Sequence, residues 1–388
     1  MGDSGDFLEL LGYDMSIDVL RRLDDPADLA RVSSLSRSWH QFVANKGFYK
    51  KLCIRMFPEL KCCSCVVEQD NLTRPSEVGP SNFNEQDATA MEDRVFALLA
   101  RELKSTIRKD NCILAAICAS STDNDPDESI VNTLDSSDIV DQRPSYWSSK
   151  GASNPEVPET LTYRLCSKLC IIEEVNIQPF KALFQDGHPI YSAEAVRFRL
   201  GFSKKTVYSL SHSEEEVVAA ERFDDDDGYI WTYVSPRFPM VQENCLQTFT
   251  LPRPALCIGG ILQIELLGRV QKQEMDGLYY ICMCYVQVKG QPLPPVFDVE
   301  MSAAKTCLLK YCPQADCSSS PTASGEDANP TSSGGWLALA DRIRQSRQVG
   351  ARVWSRVRFL NALLGNVAVV HNEDEVEEGE VHIEHRMN

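Results

Sequence analysis

The sequence predicts an α+β multidomain chain: a small helical domain at the N-terminus, then an antiparallel β-sandwich, a C-terminal helix and a disordered acidic tail. Two patterns predict this order. Leucines and valines within the first sixty residues recur mostly at intervals of three, which is typical of short helices. From about residue 112 to 292, short apolar runs alternate with turn residues. Strand after strand without intervening helices favours a sandwich over a parallel sheet.

The charge balance limits the function classes. The 388 residues carry 39 basic and 56 acidic side chains, a formal net charge of −17. Because nucleic-acid binding depends on neutralising phosphates, this excess of acid argues against nucleic acid as a partner. The acidic N-terminus lacks the features of a secretory signal, and no apolar run reaches the ~18 residues of a membrane span. We therefore expect a protein of the cytoplasm and/or nucleus, with reduced cysteines.

Shifts in composition divide the chain into seven segments. They are a helical domain (1–60), a linker (61–86), a connecting helix (87–110), a sandwich (111–292), a largely disordered linker (293–335), a basic amphipathic helix (336–366) and an acidic tail (367–388). Asp25 followed by Pro26 predicts a helix start, an N-cap with proline at the first helical position. For the basic helix we favour an intramolecular contact, either with the acidic sandwich or with the acidic tail, and a membrane-surface or calmodulin-type role is the alternative.

The first segment carries an ordered motif. Its members are Leu11, Asp14, Ile17, Val19, Leu20, Leu23, Asp28, Leu29, Val32, Ser33, Leu35, Arg37 and Trp39. In spacing and residue type this run resembles an F-box, except that Gly12 stands where the family usually has proline and Ser36 where cysteine is common. The resemblance implies docking to a Skp-type adaptor and, through it, to a cullin and a RING protein.

The adaptor-binding residues implied by the match are apolar, and they are Leu11, Ile17, Val19, Leu20, Leu23, Leu29, Val32, Leu35 and Trp39. A helical unit of about fifty residues buries little surface alone, so it gains stability when an apolar stripe enters a partner's groove. The alternative is that these side chains form only the core of a small helical domain.

The second domain has weaker motifs. Ala119-Ser-Ser and Ser145-Tyr-Trp-Ser-Ser-Lys-Gly151 resemble the opening of galactose-binding-like (discoidin-type) jelly rolls, and the latter resembles a segment of the Doc subunit of the anaphase-promoting complex. The order of the whole chain, with its YSAEAVRFRLGF and VQENCLQTFTLP segments, resembles plant F-box proteins of uncharacterised substrate.

Such sandwiches meet their ligands through the loops at one end. The target-binding residues that we predict on this basis are Asp123, Tyr146, Trp147, Lys150, His188, Tyr229 and Trp231. For Trp147 we favour the alternative that it closes one end of the sandwich core. The acidic run Asp224–Asp227 contains calcium-ligand chemistry but lacks EF-hand spacing, so a solvated loop is favoured.

Two groups of cysteines need comment. Cys62, Cys63 and Cys65 cluster, and Cys307, Cys312 and Cys317 recur every five residues. Neither group offers the two C-x2-C pairs of a structural zinc site, and no histidine lies nearby, so we expect plain thiols and no metal or other cofactor.

No catalytic motif is recognisable, and none of the six histidines lies in a catalytic setting. The favoured function is therefore that of a non-catalytic substrate-recognition subunit of an SCF-type ubiquitin ligase, with an unknown protein as its target. The alternative, from another class, is a lectin-like carbohydrate-binding protein with a helical N-terminal appendage.

Overall fold

The computed structural model describes residues 11–68, 85–105, 110–140, 142–204, 228–301 and 307–313. The predicted basic helix (336–366), the acidic tail (367–388) and the acidic run Asp224–Asp227 lie outside these residues. Of the helices that the structure describes, none has both the length and the apolar composition needed to cross a bilayer.

Five α-helices form the N-terminal part. They are α1 (Tyr13–Leu20), α2 (Pro26–Ser33), α3 (Arg37–Lys46), α4 (Phe48–Met56) and α5 (Glu85–Lys104). The predicted start of α2 is confirmed: the Asp25 side chain accepts a hydrogen bond from the backbone N–H of Ala27 at 2.9 Å, and Pro26 is the first helical residue. Ser36 caps α3 in the same way through the N–H of Trp39. Short 3-10 helices follow at Pro58–Cys62 and Ile130–Leu134.

The strands run along the rest of the described chain. They are β1 (Cys63–Glu68), β2 (Asp110–Asn111), β3 (Ile113–Ala119), β4 (Ile139–Val140), β5 (Arg143–Pro144), β6 (Trp147–Ser148), β7 (Glu159–Leu165), β8 (Leu169–Pro179), β9 (Ala193–Ser203), β10 (Tyr229–Val234), β11 (Phe238–Pro239), β12 (Gln247–Ile258), β13 (Ile261–Arg269), β14 (Gln271–Lys272), β15 (Tyr279–Tyr280), β16 (Cys282–Pro292), β17 (Phe297–Met301) and β18 (Cys307–Tyr311).

Two antiparallel sheets make the sandwich. One has the order β10-β9-β13-β7-β3, with β11 beside β9, and the other has the order β12-β8-β16-β2, with β6 beside β16. The long strands β7, β8, β9, β12 and β13 alternate between the two sheets along the chain, as in a jelly roll. Their inward side chains, among them Tyr163, Phe198 and Leu262, form one buried core. The predicted fold class is thereby confirmed.

The helices do not form a separate core. A single cluster of buried side chains joins Leu29 of α2 and Leu99 of α5 to Leu256 of β12 and Ile171 of β8. These strand residues lie at one end of the sandwich, which we call the helical end. An ion pair reinforces the junction, because the buried carboxylate of Glu59 accepts from Arg253 of β12 at 2.7 Å.

The prediction that residues 61–86 and 293–335 are linkers is wrong in part. β1 lies in the segment expected to be a linker (61–86), and β17 and β18 lie in the segment expected to be largely disordered (293–335). These strands form a small sheet of order β1-β18-β17, in which β1 and β18 are parallel. The pairing joins segments more than 240 residues apart, so local composition gives no sign of it. The helix expected over 87–110 spans Glu85–Lys104 and belongs to the core rather than to a connector.

Candidate functional site

An apolar groove opens between α1, α2 and the start of α3. It has a volume of about 510 Å³, and we call it the helical groove; its lining residues are Val19, Leu20, Leu23, Val32, Leu35, Ser36 and Trp39. Leu35 is 68% exposed and Val19 is 41% exposed, which is unusual for aliphatic side chains beside a packed core. The groove therefore offers apolar surface that the described chain leaves in contact with water.

The predicted adaptor-binding residues differ in how much surface they leave exposed. Leu20, Leu29 and Trp39 are buried in the chain's own core, so they support the groove rather than supply free surface. Val19, Leu23, Val32 and Leu35 line the groove with partial or full exposure. Ile17 packs on the helical core and Leu11 is half-buried. The alternative that these side chains form only the core of the helical domain thus applies to three of the nine predicted residues.

The backbone conformation at Gly12 explains why glycine stands where the F-box pattern usually has proline. It is the N-cap of α1 with φ 74°, a left-handed conformation that the fixed φ of proline excludes. Its carbonyl accepts from the Ser16 hydroxyl at 2.9 Å. The turn that leads into α1 is therefore built for glycine.

The turn between α1 and α2 is held from α4. The Arg55 guanidinium donates to the carbonyls of Arg21 and Leu23 and pairs with Asp24 at 2.9 Å. Since these carbonyls follow α1 directly, Arg55 fixes the rim of the helical groove.

A second surface lies at the opposite end of the sandwich, which we call the loop end. β8 begins beside the helical core at Leu169 and ends at Pro179, roughly 33 Å away at ~3.3 Å per residue. Tyr146 stacks on Phe180 with ring centroids 3.9 Å apart, and Phe184, 57% exposed, lies 6.4 Å from Tyr146. With the exposed Leu183 beside them, these rings form the loop-end aromatic patch.

Carboxylates surround the patch. The Tyr146 hydroxyl donates to Glu128 at 2.7 Å, and the Tyr280 hydroxyl donates to Asp276 at 2.6 Å. Asp123 is exposed, but partial desolvation of its carboxyl raises its pKa. The charges of Glu128 and Asp276 raise this pKa further, and Lys150 lowers it. The other oxygen of Glu128, Oε2, is buried and finds no hydrogen-bond partner among the described residues. The loop end thus combines apolar rings with negative charge.

A buried ion pair holds the loops of this end. Arg269 pairs with Glu159 deep in the structure. It also donates to the Ser149 hydroxyl at 3.0 Å, to the Lys150 carbonyl at 2.8 Å and to the Tyr279 carbonyl at 3.0 Å. The carboxylate of Glu159 accepts from Ser121 at 2.8 Å on the other side. Sequence reasoning missed this network, because nothing local distinguishes these two residues from solvent-exposed charges.

The predicted target-binding residues do not all meet. Asp123, Lys150 and His188 are exposed in loop-end segments, and Tyr146 belongs to the aromatic patch. Trp147 is 0% exposed and donates from Nε1 to the Ser121 carbonyl at 3.0 Å, so it closes the core, as the favoured alternative held.

Tyr229 and Trp231 lie elsewhere. Their rings stack at 5.3 Å on β10, whose Tyr229 pairs with Ser203 at the helical end of β9. The expectation that they join the other residues at one end is wrong, because β10 runs from the helical end toward the loop end. Phe180 and Phe184 are the loop-end residues that sequence reasoning missed.

Comparison with known proteins agrees with this architecture. The model of the F-box-like family matches residues 13–55, which span α1 to α4. F-box protein At4g00755 of Arabidopsis thaliana is 47% identical over 297 residues, which cover 76% of this chain and 78% of that protein.

Solved structures resemble the sandwich at low identity. The family 32 carbohydrate-binding module of Clostridium perfringens NanJ, solved in complex with galactose, is 11% identical and covers 47% of this chain and 99% of its own, with a TM-score of 0.29. A fucolectin from striped bass, Morone saxatilis, is 14% identical and covers 50% of each chain, with a TM-score of 0.29. Neither likeness is close enough to support an argument about function.

The relative from Arabidopsis is close enough to decide the family, since nearly half of the aligned residues are identical over most of both chains. The matched helices and the helical groove agree with it. The chain belongs to the plant F-box proteins, in the group that includes F-box protein At4g00755 of Arabidopsis thaliana.

Proposed function

We propose that the chain is the substrate-recognition subunit of an SCF-type ubiquitin ligase, acting in the cytoplasm and/or nucleus without a catalytic step of its own. The helical groove would dock a Skp-type adaptor and, through it, a cullin and a RING protein. The observation behind this proposal is the exposed apolar lining of the groove within the F-box-like segment. The loop end would receive the target protein.

The groove offers the adaptor a favourable contact. Leu35 is 68% exposed and Val19 is 41% exposed. Full burial of an exposed aliphatic side chain contributes ~1.5–3 kcal/mol, and the adaptor would gain the part of it that corresponds to these exposed fractions. Buried Leu20 and Trp39 lie directly beneath, so the groove is preformed. A preformed groove lowers the ordering cost of binding.

The loop end suits a protein target that presents apolar and basic side chains. Phe184 and Leu183 supply exposed apolar surface, which is the usual centre of an interface. The carboxylates of Asp123, Glu128 and Asp276 lie around it and favour a positively charged partner.

A glycan is the less favoured ligand. Sugars bind well on open ring faces, but one face of Tyr146 is covered by Phe180 at 3.9 Å and its hydroxyl is engaged by Glu128. Specific binding on a glycan array by the full chain, abolished by Phe184→Ala, would instead support the lectin-like alternative.

The adaptor proposal is tested by matched charge substitutions. Leu35→Asp and Val19→Asp place a carboxylate in the groove and should weaken binding to a Skp-type adaptor at least tenfold, or ~1.4 kcal/mol, without lowering thermal stability. Val157→Asp is the control, because Val157 is also 41% exposed but lies in the sandwich. If the groove variants bind as well as Val157→Asp, or if the wild-type chain does not bind, the proposal is wrong.

The target proposal is tested in cells with proximity labelling. A chain carrying Leu35→Asp should retain undegraded targets, and adding Phe184→Asp should remove those targets from the labelled set. Phe184→Asp alone should leave adaptor binding unchanged. An identical labelled set with and without Phe184→Asp would exclude the aromatic patch as the target site.

A further inference from the structure

Three cysteines meet where the small sheet joins the helices. Cys62 ends a 3-10 helix, Cys63 begins β1, and Cys307 begins β18. Parallel pairing places Cys63 directly beside Cys307. The three sulfur atoms all lie within 4.8 Å of one another, and those of Cys62 and Cys307 are 3.4 Å apart.

This spacing suits a metal ion. Zinc binds thiolate sulfur at about 2.3 Å in a tetrahedron, so neighbouring sulfurs in such a site lie ~3.8 Å apart. The three sulfurs of Cys62, Cys63 and Cys307 already approach that separation. Small adjustments of side-chain rotamers would centre an ion between them.

The backbone at this point supports the same interpretation. The register of β1 against β18 shifts between Cys63 and Cys65. Irregularities of this kind redirect side chains and are frequent beside functional sites. Cys63 and Cys307 are buried in the shared core, whereas Cys62 is half-buried, which leaves a route by which an ion can enter.

We propose that Cys62, Cys63 and Cys307 bind one zinc ion as thiolates. Three thiols each release a proton as three sulfur–zinc bonds form, and no oxidant or reductant is needed. The fourth position of the tetrahedron is left for water or another ligand. The ion joins β18 to β1 and to the 3-10 helix, and so secures the small sheet against the F-box helices.

A second group of thiols serves as an internal comparison. Cys112, Cys166 and Cys170 also have sulfurs within 4.8 Å of one another. Here Cys166 is exposed, and the thiols of Cys112 and Cys170 approach backbone carbonyls at 3.7 and 3.3 Å. The first group is the more buried of the two, because none of its three cysteines is exposed, so we assign the ion to it.

Metal analysis of the full chain tests the assignment. Wild-type protein, purified with zinc and a thiol reductant but without chelator, should contain about one zinc per chain. Cys63→Ser and Cys307→Ser should each remove most of it, whereas Cys166→Ser and the exposed-site control Cys118→Ser should retain it. Folded wild type without zinc, zinc retained by Cys307→Ser, or zinc lost instead by Cys166→Ser would each overturn the proposal.

A second measurement needs no substitution, so it remains informative if the serine variants fail to fold. Alkylation of Cys62, followed by mass spectrometry on the wild-type full chain, should accelerate several-fold when EDTA removes the ion. Alkylation of the exposed Cys118 should not change. Equal rates at Cys62 with and without EDTA, or a Cys62–Cys307 disulfide in place of the metal, would overturn the assignment.

Discussion

The Arg269–Glu159 pair is the residue-scale feature on which the loop end depends. Both side chains are buried, and Arg269 donates to four groups besides Glu159: the Ser149 hydroxyl and the carbonyls of Lys150, Val157 and Tyr279. A buried ion pair contributes little net stability over an apolar pair, but removing one partner leaves an uncompensated buried charge. The pair therefore serves to position segment 145–151, next to the aromatic patch.

Arg269→Ala should lower the free energy of unfolding by about 3–5 kcal/mol, because the Glu159 carboxylate would stay buried without its partner. Urea unfolding of the full chain measures this. Arg164→Ala is the matched control, since Arg164 is exposed on the neighbouring strand β7, and should change stability by less than ~0.5 kcal/mol. Equal losses in the two variants would show that the pair contributes nothing particular.

Asp93 of α5 is a second residue on which stability depends, because its side chain caps another helix, α4. Its carboxylate accepts from the backbone N–H of Tyr49, at the start of α4, at 3.1 Å. Burial raises the pKa of Asp93 to about 7, although hydrogen bonds from the N–H groups of Lys50 and Tyr49 oppose the shift; Glu92 adds to it and Lys51 reduces it.

Stability should therefore depend on pH through Asp93. The unfolded carboxyl ionises near pH 3.8 and the folded one near 7. Between these values the folded chain holds a proton that the unfolded chain has released, so the stabilisation is present below about pH 4 and is lost as pH rises to about 7. The difference in unfolding free energy between wild type and Asp93→Asn should fall between pH 5 and 7, by at most ~1.4 kcal/mol per unit. Parallel pH profiles for the two proteins would contradict this.

At the scale of elements, Gly201 shows how closely β9 and β10 approach. A Cβ at this position would lie 2.0 Å from the carbonyl oxygen of Ile230, which is backbone and cannot rotate away. The register of the two strands shifts just beyond this point, between Trp231 and Tyr233. Glycine is thus required for the pairing that places Trp231.

Gly201→Ala should force β10 away from β9 and destabilise the chain by about 1–3 kcal/mol. Gly228→Ala is the natural control, because a Cβ there meets nothing within 4 Å. Thermal unfolding of the full-length variants measures both effects. If the two alanine variants have the same melting temperature, the close approach of the strands at Gly201 does not affect stability.

The elements that sequence predicted and those that it missed differ in how local their signals are. α2 was predicted from Asp25 and Pro26, and the strands now seen as β7, β8 and β13 from apolar runs bounded by turns. β17 has alternating apolar and polar residues, but it pairs with β18, which in turn pairs with β1 across the whole chain. The local sequence therefore does not show which strands pair.

The same distinction applies to the sites. The helical groove follows from a motif within about thirty residues, so its lining was predicted except for the division into core and free surface. Which end of the sandwich a residue occupies depends on strand direction, and this is why Tyr229 was placed with Tyr146. Phe184 was missed because a lone phenylalanine in a turn gives no sign that Phe180 and Tyr146 lie beside it.

At the scale of the molecule, the shared core makes the F-box helices and the sandwich one mechanical unit. Leu99 of α5 and Leu256 of β12 belong to the same buried cluster, and Glu59 pairs with Arg253 across the junction. A ligase subunit built in this way would present its target at a constant distance and direction from the adaptor. Two domains on a free linker would not.

Leu99→Ala tests whether the two parts open together. Truncating this fully buried side chain should cost about 2–5 kcal/mol. If the core is shared, amide hydrogen exchange in β12, at Leu256 and Ile258, should accelerate along with exchange in α5. Leu262→Ala provides the reciprocal variant, because Leu262 belongs to the sandwich core, and it too should loosen α5 if unfolding is cooperative. If β12 exchanges at the wild-type rate in the Leu99→Ala variant, the helices open without the sandwich. The proposal that the target is held in a fixed geometry would then be wrong.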